Sequence, residues 1–170
     1  CTNPCPLVAR PAPPVLPSLP ADGPPQGEMV VSDVYQGLGG VARGSIKELR
    51  IVQIFPKTTY VANSPPVGLA GEENGRAILG TVPVEADGSA RFTVPAMKPL
   101  LFQALDADGM AYQTMRTVTY LQPGERVSCT GCHEDRMSAP PSKLAAPATK
   151  AMPLALRRPA SAIEPGVLGG

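Results

Sequence analysis

No tryptophan occurs in the 170 residues, histidine occurs once, and charge is almost balanced, with 15 Lys and Arg against 14 Asp and Glu. A net charge of +1 leaves no electrostatic footprint for a nucleic-acid backbone or an anionic membrane surface, so no nucleic-acid partner is expected. No apolar run approaches the roughly 18 residues of a membrane-spanning helix. The start also lacks a charged region followed by an apolar stretch, so no leader is read there and no membrane insertion of this segment is expected. No long segment keeps a 3.6-residue apolar period, and helix is expected to be scarce. The chain begins at Cys1 rather than Met and stops in Gly169-Gly170 without a terminating element, which reads as a piece of a longer protein.

Proline and glycine are abundant instead, 22 and 17 of them. Nine prolines, from Pro4 to Pro25, fall within the first 25 residues. Each ring fixes φ and pushes the preceding residue out of the α region, so residues 1–27 are expected to form an extended linker carrying Cys1 and Cys5. A second Ala/Pro-rich stretch, 140–170, is expected to be a tether or a strap lying on a neighbour. Between them, residues 28–139 have the length of one ordinary domain.

The middle part has strand chemistry. Ser45 to Phe55 is rich in Ile, Val and Leu and ends at Pro56, while 77–84 and 90–94 alternate apolar and polar residues. A three-residue loop, Ala86-Asp87-Gly88, with Gly88 in the left-handed region would pair Val84 with Ala90 and Val82 with Phe92, leaving one face apolar. The same device recurs at Ala107-Asp108-Gly109, joining 100–105 to a strand from Met110 in a meander, and Met29 to Tyr35 is a further strand candidate. The expected fold is mainly β: an antiparallel β-sandwich of immunoglobulin-like or transthyretin-like build, with Pro-rich extended flanks. Asp106, Asp108 and Gly109 read as turn chemistry rather than a calcium loop. Gly37-Leu38-Gly39-Gly40 lacks the partners of a phosphate loop and reads as a mobile loop.

After the last strand candidate comes Ser128-Cys129-Thr130-Gly131-Cys132-His133, a CxxCH motif. Two thiols at this spacing can add to the two vinyl groups of one porphyrin, and the adjacent imidazole is carried toward the iron. The expected cofactor is therefore covalent haem c on Cys129, Cys132 and His133. A thioredoxin-like role would need a βαβ setting, which this region lacks. A zinc site remains open, because the four thiolates of Cys129, Cys132, Cys1 and Cys5, or three of them plus His133, would close a tetrahedron in a structural module without turnover. A Cys1–Cys5 disulfide would close a small, strained ring. Met97, Met110, Met115, Met137 and Met152 each carry a thioether that can face iron; Met137, four residues after His133, stands out. Covalent attachment of haem takes place outside the cytoplasm, so an extracytoplasmic, periplasm-like location is expected.

The sequence resembles the hydrazine synthase alpha subunit middle domain family, found in planctomycete-type multidomain c-type haem proteins. The matching stretches are Asn3-Pro4-Cys5-Pro6-Leu7, Val34-Tyr35-Gln36-Gly37-Leu38, the run from Ile78 to Val84 with Asp87-Gly88-Ser89-Ala90, Pro99 to Asp106 with Gly109-Met110, and Gln113 to Arg116 continuing through Tyr120-Leu121-Gln122-Pro123-Gly124-Glu125 to the CxxCH motif with Glu134-Asp135-Arg136. The resemblance implies a c-type haem on Cys129 and Cys132, flanking domains in one longer chain, and a redox partner protein. In hydrazine synthase the motif His goes to zinc and a Tyr four residues later holds the iron; here that position is Met137. A phenolate stabilises ferric iron and a thioether ferrous iron, so the electronic character of the site changes. Two schemes stay open: His133 on the iron, or His133 on zinc with Cys5 and Cys1 while Met137 or water faces the iron. The function expected is electron transfer or redox catalysis on a small molecule.

Overall fold

The computed structural model describes residues 12, 14, 23–132 and 152–157. These contain seven strands and no helix: β1 Gln26–Val31, β2 Glu48–Ile54, β3 Arg76–Pro83, β4 Ala90–Pro95, β5 Leu100–Leu105, β6 Ala111–Thr114 and β7 Arg126–Cys129. They make one sheet of three strands in the order β4-β1-β7 and one of four in the order β3-β2-β5-β6. Inward residues of both sheets share one core: Met29, Val31, Phe92 and Val94 from the first, Leu49, Ile51, Val82, Leu100 and Ala104 from the second. Phe92 meets Phe102 of the other sheet edge-to-face, with ring centroids 5.7 Å apart. Burying each such large side chain contributes about 1.5–3 kcal/mol, so the shared core holds the two sheets together.

The ladders are antiparallel except β1–β7, which is parallel. The chain between β6 and β7 explains the exception. Thr119 pairs with Leu100, Met97 N–H donates to Leu121 C=O (2.8 Å), and Glu28 N–H donates to Glu125 C=O (2.8 Å). This crossover delivers the chain to the start of β1, and β7 then runs alongside it in the same direction.

The order of strands also corrects the expected meander. Gly88 does lie in the left-handed region (φ 89), and Glu85 N–H donates to Ser89 C=O (2.8 Å) across a three-residue loop. Pairing then stops. Val84 N–H donates instead to Lys47 C=O (2.9 Å), so β3 stays on β2 while β4 crosses to β1, and Val82 and Phe92 sit in different sheets. The second loop behaves as expected. Gly109 has φ 77, Asp106 N–H donates to Met110 C=O (2.9 Å), and the Asp106 carboxylate accepts from the N–H groups of Asp108 (2.9 Å) and Met110 (2.8 Å). Within the glycine-rich segment, Leu38 packs against the core, as does Val41 just beyond it.

A short piece of the C-terminal stretch crosses the sheet edges. Leu154 exchanges hydrogen bonds with β4, donating to Arg91 C=O (2.9 Å) and accepting from Thr93 N–H (3.0 Å); Arg157 does the same with Thr81 of β3, at 2.8 and 3.0 Å. A Cβ at Gly80 would stand 2.6 Å from the Arg157 carbonyl oxygen, so the close approach needs glycine there.

Candidate functional site

Cys129 ends β7 and lies opposite Val31 of β1. Beyond it the backbone stays pinned to the exit of β1: Ser32 N–H donates to Cys129 C=O (2.9 Å) and Asp33 N–H to Thr130 C=O (3.1 Å). Gly131 then crosses the Gln36 backbone so closely that a Cβ would stand 2.4 Å from the Gln36 carbonyl oxygen. The glycine inside the motif is thus a packing requirement of this loop.

The turn beneath the loop is held by Asp33, which is 1% exposed. Its carboxylate accepts from Tyr35 N–H (3.1 Å) and from the Arg43 guanidinium. Arg43 also donates to Asp87 C=O (3.1 Å) and lies 5.2 Å from the centre of the Tyr35 ring. The Tyr35 hydroxyl accepts from Gly44 N–H (2.8 Å) and Ile46 N–H (3.0 Å) and donates to Ile46 C=O (3.3 Å). The Asp87-Gly88 loop closes the cluster, with Val34 N–H donating to Gly88 C=O (2.8 Å).

Cys129 and Cys132 are not joined by a disulfide. Both line one cavity of about 310 Å³ between the two sheets. One wall comes from β1, β7 and the motif loop, through Val31, Ser128, Cys129, Gly131 and Cys132; the other comes from Leu49, Phe102, Ala104, Gln113, Met115 and Thr117. Its lining is mostly apolar, and it lies where the β7 and β6 edges face each other. Burial, with smaller contributions from Cys129 and Asp33, pushes the Cys132 thiol up to about 11, so its sulfur keeps its proton at neutral pH.

The structure brings together Cys129, Cys132 and Met115 of the residues singled out from sequence. Met97, Met110 and Met152 are exposed and stand away from the cavity. His133, Met137, Cys5 and Cys1 lie outside the described residues. Among the described residues no three His, Cys, Asp or Glu side chains gather as a metal site. The sequence reading did not single out Asp33 and Arg43 beneath the motif, or Gln113 and Thr117 in the cavity. A period of two through Gln113, Met115 and Thr117, continuing the line of β6, was the available signal for the latter pair.

The model of the hydrazine synthase alpha subunit middle domain matches residues 44–134. The chain belongs to that family. The match runs from the approach to β2 through the cysteine pair and leaves β1 outside. Hydrazine synthase subunit alpha of Kuenenia stuttgartiensis is 33% identical over an alignment of 113 residues that covers 58% of this chain and 14% of that protein. The solved hydrazine synthase of the same organism matches with a TM-score of 0.51 and 28% identity, over 65% of this chain and 18% of that one. The chain therefore spans under a fifth of the length of either relative. No helix among the described residues is long and apolar enough to cross a membrane.

Proposed function

We propose that this chain is a covalent haem c-binding domain of a hydrazine synthase alpha-like multidomain protein, serving electron transfer or redox catalysis on a small molecule. The observation that carries the reading is that Cys129 and Cys132 line the same apolar cavity. Thioether formation to one macrocycle needs both sulfurs on one surface, and a haem edge needs walls such as Val31, Leu49, Phe102 and Ala104. These residues fit the group. At about 310 Å³ the cavity is near the lower end of ordinary ligand sites, roughly 300–1,000 Å³, and would hold the edge of a macrocycle.

When bound, the haem supplies one-electron chemistry at iron. The protein's own contribution is positional. The parallel ladder with β1 fixes Cys129, and the Gly131–Gln36 contact fixes the loop that carries Cys132. His133, Met137, Cys5 and Cys1 are the candidates for the iron and for an accompanying zinc. The shared core supports taking the two sheets as a β-sandwich of immunoglobulin-like or transthyretin-like build. Haem c attachment implies an extracytoplasmic compartment and a redox partner protein.

The test is a pyridine haemochrome spectrum with iron and zinc analysis, on chain produced in a host that matures a control cytochrome c. A covalent c-type spectrum with about one iron per chain supports the reading. Colourless protein holding about one zinc would overturn it in favour of a structural zinc module.

A further inference from the structure

We propose that Asp33 is a positioning residue for thioether formation, seating the motif loop so that the Cys132 sulfur reaches its vinyl group; this rests on the haem c reading above. The two thiols are held in different ways. Cys129 is a strand residue: it closes β7, lies opposite Val31, and its C=O accepts from Ser32 N–H at 2.9 Å. Cys132 stands three residues further on, past the last position of the β1–β7 ladder. Between them come the hydrogen bond from Asp33 N–H to Thr130 C=O (3.1 Å) and the close crossing of Gly131 over Gln36. Both contacts are made with the turn 33–36, so the place of Cys132 depends on the shape of that turn. The Asp33 side chain sets this shape. Its carboxylate accepts from Tyr35 N–H at 3.1 Å, and Gln36 N–H donates to Asp33 C=O at 3.0 Å to close the turn. The carboxylate also faces the Arg43 guanidinium, which donates to Asp87 C=O at 3.1 Å and so ties the turn to the loop after β3.

Each thioether forms when a thiol adds across a vinyl double bond. The sulfur bonds to the carbon next to the ring and the proton goes to the terminal carbon, with no oxidant or reductant consumed. The step needs the sulfur within approach of one particular carbon, and a misplacement of about 1 Å can cost a reaction on the order of a hundredfold. Addition at the ladder-held Cys129 fixes one end of a rigid macrocycle. The second addition then succeeds only where the loop presents Cys132 to the remaining vinyl, and the Asp33 turn governs that presentation.

The experiment uses the 170-residue chain matured with haem c and counts its thioethers. The α band of the pyridine haemochrome lies at its shortest wavelength when both vinyls are saturated and moves to longer wavelength when one stays conjugated with the ring. Alkylation under denaturing conditions, read by peptide mass, then identifies the free thiol. The unsubstituted chain should carry two thioethers. Asp33→Ala should show the shifted band with Cys132 alkylated and Cys129 still bound, and Asp33→Asn a mixture of one and two. Glu28→Gln removes a largely buried ion-pair carboxylate toward the start of β1; it is the control for lost stability and should keep both thioethers. Two thioethers in both Asp33 variants, or as much single attachment in Glu28→Gln as in Asp33→Asn, overturns the proposal while leaving haem c binding intact. Alkylation falling on Cys129 as often as on Cys132 overturns it too. If Asp33→Ala does not fold, judged by amide protection of the β2–β5 ladder, Asp33→Asn decides. A negative pyridine haemochrome on the unsubstituted chain overturns haem binding itself, and the proposal with it.

Discussion

Gly131 lies against the Gln36 backbone so tightly that a methyl carbon on it would stand 2.4 Å from the Gln36 oxygen and 2.5 Å from its Cβ. Gln36 belongs to the turn that leaves β1, which itself pairs with β7, so the motif loop is held at both of its ends. Gly131→Ala must move either the loop or the turn. We expect it to cost about 1–3 kcal/mol in chemical denaturation, as overpacking does, and to lower the yield of covalently held pigment. An unchanged midpoint would show that the contact is loose.

Asp33 should be sensitive even to removal of its charge alone. Asp33→Asn keeps the shape and one acceptor but withdraws the anion facing Arg43, so a loss of about 1–3 kcal/mol is expected from weakening charge-assisted hydrogen bonds. Arg43→Ala should cost less than Asp33→Ala, because the arginine side chain is 56% exposed and the carboxylate only 2%. Equal losses would contradict this ranking.

Glu28 gives a pH signature. Burial alone would raise its pKa, but hydrogen bonds from Arg91 and Arg126 outweigh it and hold the carboxyl below its ordinary 4.5. A depressed folded-state pKa contributes stability that is complete above pH 4.5 and disappears as pH falls through the folded value. Glu28→Gln should therefore be less stable than the natural chain at pH 7 by about 2 kcal/mol, since Arg91 forms a two-pronged contact with both carboxylate oxygens at 2.9 Å. The gap should close on acidification below pH 4.5. Denaturation midpoints compared at neutral and acid pH decide it; a gap that stays constant would mean that packing, not charge, is lost.

Gly80→Ala should release the 152–157 segment. A methyl there meets the Arg157 carbonyl at 2.6 Å and Leu156 Cβ at 2.9 Å, both in the crossing segment. The expected outcome is faster amide exchange at Thr81 and Arg157, which bond each other, with the β2–β5 ladder unchanged. Protection retained at Thr81 would refute the role given to Gly80.

The strands were legible because their alternation is local: the sequence places strands at 45–55, 77–84 and 90–94, and β2, β3 and β4 lie there. Both three-residue loops were legible for the same reason, since glycine after Ala-Asp signals a left-handed backbone. What could not be read was which strand pairs with which. The Asp87-Gly88 loop looks like a hairpin tip, but Val84 finds a better partner in Lys47, and that competition is settled 37 residues away in sequence. The cysteine pair was legible as a motif. Its foundation was not, because Asp33 and Arg43 act through a turn whose meaning depends on β7 arriving beside β1. Met115 was one thioether among several until the fold put it on the cavity wall.

The crossing segment 152–157 has a consequence for how copies of this chain treat one another. An open sheet edge presents unused N–H and C=O groups to which another chain can add, and long flat edges are the most exposed to such growth. The outward edges of β3 and β4 are both capped by this segment, through Arg157 and Leu154. The other outer strands, β6 and β7, are only four residues long. The same six residues that cross the sheets therefore act against self-association. A chain ending at residue 151 would expose both longer edges and should sediment as oligomers at concentrations where the intact chain does not.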